Sequence, residues 1–389
     1  RVFLDKLLYK LVRPAFRKWR EARFRYTRLV EVFVYKDHLL HNAEQVQQVA
    51  PTCGIAPVLK SNAYGHGLVE VARVFDRPGT AFLVVDGYYE ALILRNEGVR
   101  AGILVVGYTA IENMIGSRLH EVAFTILDLP QLLELSDTLT VPRRFHLKID
   151  TGMNRQGLLM AEVEEAFDAI EQNENIILEG LCSHLADADG ADESFTAQQI
   201  ERWNEVAAAG KNAFPNLKFT HLANTAGSFY ADRIDANVMR IGLGLYGINP
   251  NPRHPLDLKP ALDIRSRVGA VKGIKKGDKV GYNVTFEAER DMPLAIVPTG
   301  YNSCVDRRLS NKGFFKVKDT MCPIVGKISM NITTVDASAV ADVKRGDVVT
   351  VVSARKEDEN SVENIARICG EIPYVILVNI SPQLRRVVV

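Results

Sequence analysis

The first two thirds of the chain alternate between short apolar runs and segments whose apolar residues recur at helical spacing. Eight runs are rich in Val, Ile, Leu and Phe, residue types common in buried strands. They lie at 55–60, 81–85, 102–106, 122–126, 145–149, 176–181, 218–222 and 237–241. Between them, segments such as 161–171 and 194–209 carry apolar residues three or four positions apart, as amphipathic helices do. Eight alternating strand and helix units predict an α/β fold, a (β/α)8 barrel of the TIM type.

The pattern changes after about residue 262, where strand-like runs dominate. The turn KKGDKV (275–280) is echoed by KRGDVV (344–349), and Gly-Asp pairs between Val- and Ile-rich runs are typical of antiparallel hairpins. We therefore predict three parts. These are an N-terminal extension at 1–29, a barrel at 30–262 and a C-terminal, mainly β domain at 263–389.

Charge is spread unevenly along the 389 residues, although 48 Lys and Arg against 47 Asp and Glu give a net charge of only +1. Residues 1–28 hold ten basic side chains and two acidic ones, a local charge of +8. Apolar residues from Leu4 to Val12 recur at helical spacing before Pro14 interrupts them. Two interpretations stay open: a basic amphipathic helix on an anionic membrane surface or nucleic acid, or a solvated extension that packs on the barrel or a partner subunit. For the chain as a whole we expect no nucleic-acid partner.

Cysteine content and hydropathy indicate the compartment. The five cysteines are an odd number, are widely spaced and include no CxxC pair, so we expect reduced thiols, no disulfide framework and no metal site. No stretch reaches the roughly 18 uninterrupted apolar residues of a membrane-spanning helix. The extension lacks the apolar segment and small-residue cleavage site of a signal peptide. The sequence therefore predicts a cytoplasmic protein.

Lys60 ends the first apolar run and is followed by the loop SNAYGHG at 61–67. Barrel enzymes place their chemistry at the carboxyl ends of the strands, so this side chain is predicted to enter the mouth of the barrel. The apolar run before it would desolvate the ammonium and favour the neutral, nucleophilic amine. Taken alone, a lysine at a strand end is more often a surface residue, and the glycine loop changes that only a little.

Polar and glycine-rich segments follow four other predicted strands. They are KIDTGMNR (148–155), SHLADAD (183–189), HLANTAG (221–227) and RIGLGLYG (240–247). Small residues after the last two strands match the position where barrels bind phosphate through backbone N–H groups. Together with the lysine, they suggest pyridoxal phosphate held at both ends. Simpler alternatives stay open at this point: a core histidine at His184, a packing turn at 240–247, and a solvated loop around Asp187 and Asp189.

Six motifs carry a resemblance to a known family. They are KSNAYGHG, KIDTGMNRQG, HLANTAG, RIGLGLYG, VGYNVTF and PIVGKISMN. Their order and spacing are similar to those of the alanine racemase family. The resemblance spans about residues 30–389 and implies a pyridoxal-phosphate enzyme that interconverts L- and D-alanine, supplying D-alanine for peptidoglycan. It also implies a head-to-tail homodimer whose active sites are shared across the interface.

The resemblance assigns two catalytic bases. Lys60 would bind the cofactor covalently and act as one base, and Tyr282 would reach the active site of the other subunit as the second. Racemisation removes a proton from one face of a planar carbanion and delivers one to the other, which two opposed bases achieve without moving the substrate. A tyrosine titrates near pH 10, so Tyr282 would need cationic or hydrogen-bonding help, for which His184 and Arg240 are candidates.

Further residues match positions that bind the cofactor or the substrate in this family. Those implied for the cofactor are Lys60, Tyr64, His184, Asn224, Thr225, Arg240 and, through their backbone, Gly242 and Leu243. Arg240 would face the pyridine nitrogen and, because an arginine does not easily give up a proton, leave that nitrogen unprotonated. Those implied for the substrate are Arg155, Tyr301 and Met330, the last two from the other subunit. Lys148 matches a lysine that is carboxylated in some members.

Three positions depart from the family's pattern. An Asp-Gly pair commonly follows the tyrosine that matches Tyr301, whereas this chain has Asn-Ser-Cys at 302–304. The acid that commonly follows the methionine matching Met330 is replaced by Asn331. A phosphate-binding tyrosine near the C-terminus aligns with Pro382, which would remove one hydrogen bond. The first two departures leave the preference between alanine and serine open.

Other functions stay open beside the alanine racemase. One is a racemase of another small amino acid, such as serine. A barrel that binds pyridoxal phosphate without turnover could be a carrier or regulator, but it would have no need of a β domain with Tyr282. A decarboxylase or aldolase on the related two-domain fold would benefit from a stronger electron sink than Arg240 allows.

Overall fold

Residues 26–389 are described by the computed structural model. Most of the predicted extension at 1–29 therefore lies outside the described residues, and both interpretations of its role stay predictions. The described chain starts with a short strand, β1 (Glu31–Val34), which leads into helix α1 (Lys36–Val49). Within this part of the chain, no helix is both long enough and apolar enough to span a bilayer.

The predicted barrel is present. Its eight parallel strands, counted over residues 26–389, are β2 (Gly54–Pro57), β3 (Leu83–Val85), β4 (Ile103–Val105), β5 (Val122–Ile126), β6 (Arg143–Lys148), β7 (Ile176–Cys182), β8 (Phe219–His221) and β9 (Val238–Ile241). β3 to β8 form one six-stranded sheet, and β2 pairs with β9. A bridge from Val58 to Val84 joins β2 to β3, and the Asn237 N–H donates to the Thr220 carbonyl between β9 and β8 (3.0 Å). All eight predicted runs are thus confirmed as strands.

Helices cover the outside of the barrel. After α1 they are α2 (Leu68–Phe75), α3 (Tyr88–Asn96), α4 (Ile111–Gly116), α5 (Leu129–Thr138), α6 (Val163–Glu171) and α7 (Ser194–Ala213), with short 3-10 segments at Met160–Glu162, Ala226–Arg233 and Leu243–Tyr246. α6 buries Val163, Ala166, Phe167 and Ile170, the spacing of a helix with one apolar face. The helices predicted at 161–171 and 194–209 are confirmed.

The C-terminal part is mainly β, as predicted. Its strands are β10 (Leu262–Arg267), β11 (Ala270–Ile274), β12 (Lys279–Val280), β13 (Phe286–Glu287), β14 (Met292–Val297), β15 (Phe314–Val317), β16 (Thr320–Pro323), β17 (Thr333–Asp336), β18 (Val348–Val352) and β19 (Arg385–Val388). Two helices, α8 (Val362–Cys369) and α9 (Pro373–Val378), lie between β18 and β19. The sheets are ordered β16-β15-β18-β10-β1-β19, β11-β14-β17 and β12-β13. The five cysteines form no disulfide.

The prediction of hairpins at the two Gly-Asp turns is wrong. Both turns exist, since Gly277 and Gly346 have φ angles of 88° and 94°. However, the first connects β11 to β12, which pair with β14 and β13, and the second connects β17 to β18 in different sheets. Turn chemistry determines where the chain reverses, whereas the pairing partner depends on packing. Val280 of β12, for example, packs in a small cluster with Ile274 and Met292.

Strand β1 lies in the sheet of the C-terminal domain, although the predicted division at residue 30 put it with the barrel. It pairs antiparallel with β10 and parallel with β19, so that Glu31 is opposite both Arg265 and Arg385. The Tyr35 hydroxyl then donates to Asp263 (2.6 Å). From residue 31 onwards, the chain therefore passes through this sheet, forms the barrel and returns to the sheet. The alternating burial of the four residues of β1 does not indicate that this strand pairs with a strand at the far end of the chain.

The C-terminal domain reaches the mouth of the barrel through α9. The carbonyl of Leu377 lies so close to Gly65 that a Cβ there would collide with it, and Gly65 has a φ of 77°. Arg386, on β19, donates to the Gly65 carbonyl (2.9 Å). Glycine is therefore required at position 65 for two reasons, and the loop after β2 is fixed against the second domain.

Candidate active site

A cavity of about 810 Å³ lies at the carboxyl ends of the barrel strands. Ile372, Tyr374 and Val378 of the C-terminal domain form part of its wall. The predicted site residues that line it are Lys60, Tyr64, Lys148, Arg155, His184, Asn224, Thr225, Arg240, Gly242 and Leu243. The structure thus brings the barrel part of the predicted site into one cavity, at the face where barrels of this type carry their chemistry.

Lys60 leaves β2 at a strained turn. The residues Ser61–Tyr64 all have left-handed φ angles, between 50° and 58°, a conformation that is costly for non-glycine residues and clusters at functional sites. The side chain of Asn62 accepts the first N–H of α2 (2.9 Å). His66 donates from Nδ1 to the Tyr64 carbonyl (3.0 Å), and burial lowers its pKa to about 3. These contacts hold the loop and keep half-buried Lys60 at the cavity wall.

Arg240 is buried on β9, and both terminal nitrogens of its guanidinium are fixed. Nη1 donates to Nδ1 and to the carbonyl of His221 (2.6 and 2.8 Å). Nη2 donates to the Ser183 carbonyl, to His184 Nδ1 and to the Leu222 carbonyl (2.6, 3.0 and 3.1 Å). No hydrogen bond found among residues 26–389 uses Nε. The guanidinium therefore retains one N–H for a ligand in the cavity.

The bond from Arg240 fixes the protonation of His184. An arginine only donates, so His184 accepts at Nδ1 and carries its proton on Nε2. Burial lowers the pKa of His184 well below its ordinary value, and the positive charges of Arg240 and Lys148 lower it further. At neutral pH His184 is therefore a neutral residue with one N–H donor.

Lys148 ends β6 beside two other cations. Its Nζ donates to Gln156 Oε1 (3.0 Å). Burial lowers the pKa of Lys148 to about 8, and the charges of Arg240 and Arg155 act in the same direction, while Cys182 opposes them. A neutral amine is therefore accessible close to physiological pH.

Several hydrogen-bond donors lie close together at the turn that follows β9. The N–H groups of Gly242 and Leu243 have no acceptor among residues 26–389. A Cβ on Gly242 would lie 2.9 Å from the Tyr64 hydroxyl, so glycine lets this hydroxyl approach the backbone. Burial raises the pKa of Tyr64, which keeps its hydroxyl a donor, and its ring packs against Tyr374 (5.7 Å between centroids). Free backbone N–H groups with a hydroxyl beside them suit a phosphate.

Asn224 stabilises the loop that follows β8, and Thr225 connects this loop to the one that follows β9. Asn224 Oδ1 accepts the Gly227 N–H (2.8 Å), and Thr225 Oγ1 accepts the Gly244 N–H (3.1 Å). Thr225 therefore supports the turn that presents the free N–H groups, and both side chains line the cavity.

Tyr282, Tyr301 and Met330 lie outside this cavity, in exposed loops of the C-terminal domain. They are 68%, 45% and 54% exposed. The three loops are neighbours: the Tyr301 N–H donates to the Ser329 carbonyl (3.3 Å), and a Cβ on Gly281 would lie 3.1 Å from the Lys327 nitrogen. Within one chain, the structure does not bring Tyr282 into the cavity that Lys60 lines.

Tyr374 is one of the cavity residues that the sequence analysis missed. It starts α9 in the segment Ile-Pro-Tyr at 372–374 and is 39% exposed. Pro382, where the sequence analysis expected a lost phosphate contact, is exposed and does not line the cavity. The predicted loss of a hydrogen bond at Pro382 stays a prediction, at a position away from the cavity, and Tyr374 of α9 supplies a phenol to this wall. A proline followed by an aromatic residue at a helix start was the available signal.

Comparison with known proteins agrees with this geometry. Models of the N-terminal and C-terminal domains of alanine racemase match residues 34–250 and 261–388. The chain belongs to the alanine racemase family. The family's two domain models together cover almost the whole of the described chain.

Individual members of the family are similar over most of their length. The alanine racemase of Sorangium cellulosum is 33% identical over 366 residues, which cover 90% of this chain and 96% of that protein. That of Syntrophobacter fumaroxidans is 33% identical over 349 residues, covering 88% and 93%. The crystal structure of the Bacillus anthracis alanine racemase with bound L-Ala-P has a TM-score of 0.85 at 29% identity, covering 94% of this chain and 96% of that one. The predicted fold class and the prediction of a racemase-family enzyme are confirmed.

Proposed function

We propose that this chain interconverts L- and D-alanine with pyridoxal 5′-phosphate, as one subunit of a homodimer in which Lys60 and Tyr282 of different chains are the two bases. The observation that carries the proposal is the cavity in which Lys60, the free Nε of Arg240 and the free N–H groups of Gly242 and Leu243 meet. Relatives named alanine racemase support the choice of substrate. The D-alanine would then be available for peptidoglycan.

The residues present fit the cofactor. Gly242, Leu243 and Tyr64 offer donors to a phosphate, Lys60 offers an amine to an aldehyde, and Arg240 offers Nε–H to a ring nitrogen. The volume of about 810 Å³ is within the range of ligand sites for small cofactors. When bound, pyridoxal phosphate withdraws electrons from the α-carbon of the amino acid and makes its proton acidic.

The residues of this chain would then move that proton. Lys60 takes or returns it on one face, and Tyr282 of the partner subunit does so on the other. His184 would donate its Nε2–H to the phenol oxygen of Tyr282. Arg240 keeps its protons because its terminal N–H groups are bound to carbonyls and histidines. Arg240 would therefore leave the pyridine nitrogen of the cofactor unprotonated. This favours prompt return of the proton to the α-carbon of the amino acid over side reactions.

An exposed apolar patch supports the homodimer. Besides Tyr282, Tyr301 and Met330, it includes Val284 and Ile332, which are 53% and 46% exposed. Contiguous apolar surface of this kind marks protein interfaces. If a second copy covered the patch, Tyr282 of each chain would lie at the mouth of the other chain's barrel. Within one chain, Tyr282 does not reach the mouth.

Arg155 would bind the substrate, and Lys148 would stabilise the arginines of the cavity. Arg155, exposed at the cavity wall, would bind the carboxylate of the amino acid. Lys148 would react as the neutral amine with carbon dioxide, forming an N–C bond and releasing one proton to solvent. The resulting carbamate would be an anion beside Arg155 and Arg240, so it would replace a repulsive cation by an attractive partner.

The experiment is an enantiomer assay. The purified chain, loaded with pyridoxal phosphate, is incubated with a panel of L-amino acids that includes alanine and serine, and the D-enantiomers are measured by chiral chromatography. D-alanine should form fastest. Serine is included because Asn302, whose N–H donates to the Met330 carbonyl (3.0 Å), and Asn331 lie beside the predicted entry. Absence of any D-amino acid would refute the proposal.

Two variants test the bases. Lys60→Ala should lose both the activity and the visible absorbance of the lysine-linked cofactor. Tyr282→Phe should stop deuterium exchange starting from one enantiomer and leave a measurable rate from the other. Tyr89→Phe, at a tyrosine 74% exposed and outside the cavity, is the control. Equal loss from both enantiomers in Tyr282→Phe would contradict the two-base scheme.

A further inference from the structure

A series of buried polar side chains runs from Arg240 away from the cavity, through the interior of the barrel. After the contact of Arg240 Nη1 with His221 Nδ1 (2.6 Å), His221 Nε2 lies 2.7 Å from His146 Nδ1. His146 Nε2 lies 3.9 Å from Glu179 Oε2. The two histidines are 0% and 1% exposed. The series therefore crosses strands β9, β8, β6 and β7 without contacting bulk water at the histidines.

The direction of each hydrogen bond in the series follows from chemistry. Arg240 has no acceptor, so His221 accepts at Nδ1 and, as a neutral ring, carries its proton on Nε2. That proton is donated to His146 Nδ1. A neutral His146 must then carry its own proton on Nε2, the atom that faces the carboxylate of Glu179. The donor at Arg240 and the acceptor at His146 thus favour the same tautomer of His221.

The surroundings of His146 are built to hold its ring. A Cβ on Gly180 would lie 2.6 Å from Nδ1, so the ring occupies space that glycine alone leaves. Phe82 contacts it edge-on and Phe219 stacks on it, with centroids 5.3 and 5.8 Å away. His146 therefore has little freedom to turn, and its Nδ1 is a fixed acceptor.

Glu179 completes the series at the surface. Its Oε1 is 3.3 Å from Lys218 Nζ and 3.8 Å from Arg144 Nη1. These cations and His146 keep the pKa of Glu179 below its ordinary value, although its burial opposes them. An ionised carboxylate accepts and does not donate, so it favours the proton of His146 on Nε2. Both ends of the series thus favour the same tautomers.

We propose that His146 is a positioning residue: it holds His221 in the Nε2–H tautomer and thereby keeps Nδ1 free to anchor Arg240. Without an acceptor at position 146, the buried Nε2–H of His221 would lose its partner. The other tautomer would place an N–H against the N–H of Arg240 and displace the guanidinium. The expected effect on cofactor binding rests on the proposed function, whereas the expected tautomers of the histidines do not depend on it.

The series is not a route for protons. Both hydrogen bonds of the series point outwards, from Arg240 to His221 and from His221 to His146, and His146 Nε2 lies 3.9 Å from Glu179 Oε2. Moving a proton inwards would first require Arg240 to lose one, and its Nη protons are also bound to the carbonyls of Ser183 and His221. The arrangement is therefore a fixed set of dipoles, and its effect is on the position of one guanidinium.

The test uses nitrogen NMR of the full chain with ¹⁵N-labelled histidine, first without cofactor. Wild type should show His221 and His146 as neutral Nε2–H tautomers at neutral pH. His146→Leu should switch His221 to Nδ1–H, whereas His146→Asn, which keeps an acceptor at the position of Nδ1, should retain Nε2–H. His120→Leu, at an exposed histidine, is the control and should change nothing at His221. A wild-type His221 that is cationic or protonated at Nδ1 would overturn the proposal, as would an unchanged tautomer in His146→Leu.

A second measurement uses the loaded enzyme. Displacement of Arg240 in His146→Leu should weaken cofactor binding by about tenfold, the effect of one lost hydrogen bond. It should also raise conversion of the cofactor to pyridoxamine phosphate during incubation with L-alanine. His146→Asn should restore both properties. If the chain is inactive on every amino acid, the NMR results still decide the tautomers. If His146→Leu does not fold, His146→Asn decides: the wild-type tautomer of His221 in this variant supports the proposal, and an altered tautomer overturns it.

Discussion

Replacing Gly242 by alanine should weaken the binding of pyridoxal phosphate while leaving the fold intact. The added Cβ would lie 2.9 Å from the hydroxyl oxygen of Tyr64 and 3.3 Å from its Cζ. Both distances are shorter than ordinary van der Waals contact. Tyr64 is buried between Tyr246 and Tyr374, with ring centroids 5.0 and 5.7 Å away, so its ring cannot move aside freely. The hydroxyl must therefore leave its position beside the free N–H groups.

The size of the effect follows from the bond that is lost. A hydrogen bond to an ionised group contributes about 1.5–3 kcal/mol. Loss of one such bond to a phosphate should therefore raise the Kd for the cofactor roughly ten- to 150-fold. The Kd is measured by titrating the cofactor-free chain and following absorbance or quenching of intrinsic fluorescence.

Two further variants separate this cause from a general loss of stability. Gly273→Ala is the matched control, because a Cβ at that position meets nothing within 4 Å; its Kd and melting temperature should equal those of wild type. In a Tyr64→Phe background, Gly242→Ala should cost less than in wild type, since the hydroxyl is already gone. An unchanged Kd in Gly242→Ala, or an equal cost in both backgrounds, would refute the reasoning.

Three other outcomes are expected. Lys148 should acquire a carbamate, seen by NMR with ¹³C-bicarbonate, increasingly as pH rises through about 8, and Lys148→Met should show none. Ile332→Lys should yield monomers in light scattering and lose racemisation, whereas Leu133→Lys on α5 should do neither. Glu179 has a depressed pKa in the folded state, so its stabilisation is present above its unfolded value of about 4.5 and is lost as pH falls through the folded value. The melting temperatures of wild type and Glu179→Gln should therefore converge in acid; a gap that stays constant would contradict this.

The barrel could be predicted from sequence because its strands are buried on both faces. All five residues of β5, Val122–Ile126, are buried, and such strands appear as continuous apolar runs. The position of Lys60 at the mouth follows from its place at the end of a strand. Burial of a strand on both faces and a position at the end of a strand are local properties, so both can be predicted from a single sequence.

The parts that sequence missed depend on contacts between distant segments. β1 pairs with β19 at the other end of the chain. Tyr374 reaches the cavity because α9 packs against the loop at Gly65, and nothing in the spacing of residue 374 reveals that contact. The Gly-Asp turns formed, but their strands pair elsewhere, because a turn fixes a reversal and packing selects the partner.

The charges around the cavity explain why its ligands would be anions. The cationic side chains that line it are Lys60, Lys148, Arg155 and Arg240, and the acidic ones are Asp86 and Asp189. His184 and His221 are neutral because burial, and then the nearby charge of Arg240, lowers the pKa of each, so the lining carries an excess of positive charge. Burial lowers the pKa of Lys148, and repulsion from Arg240 and Arg155 acts in the same direction. A phosphate and an amino-acid carboxylate would each relieve this repulsion, and a carbamate on Lys148 would do so from within the protein. The same excess of positive charge disfavours substrates with cationic side chains.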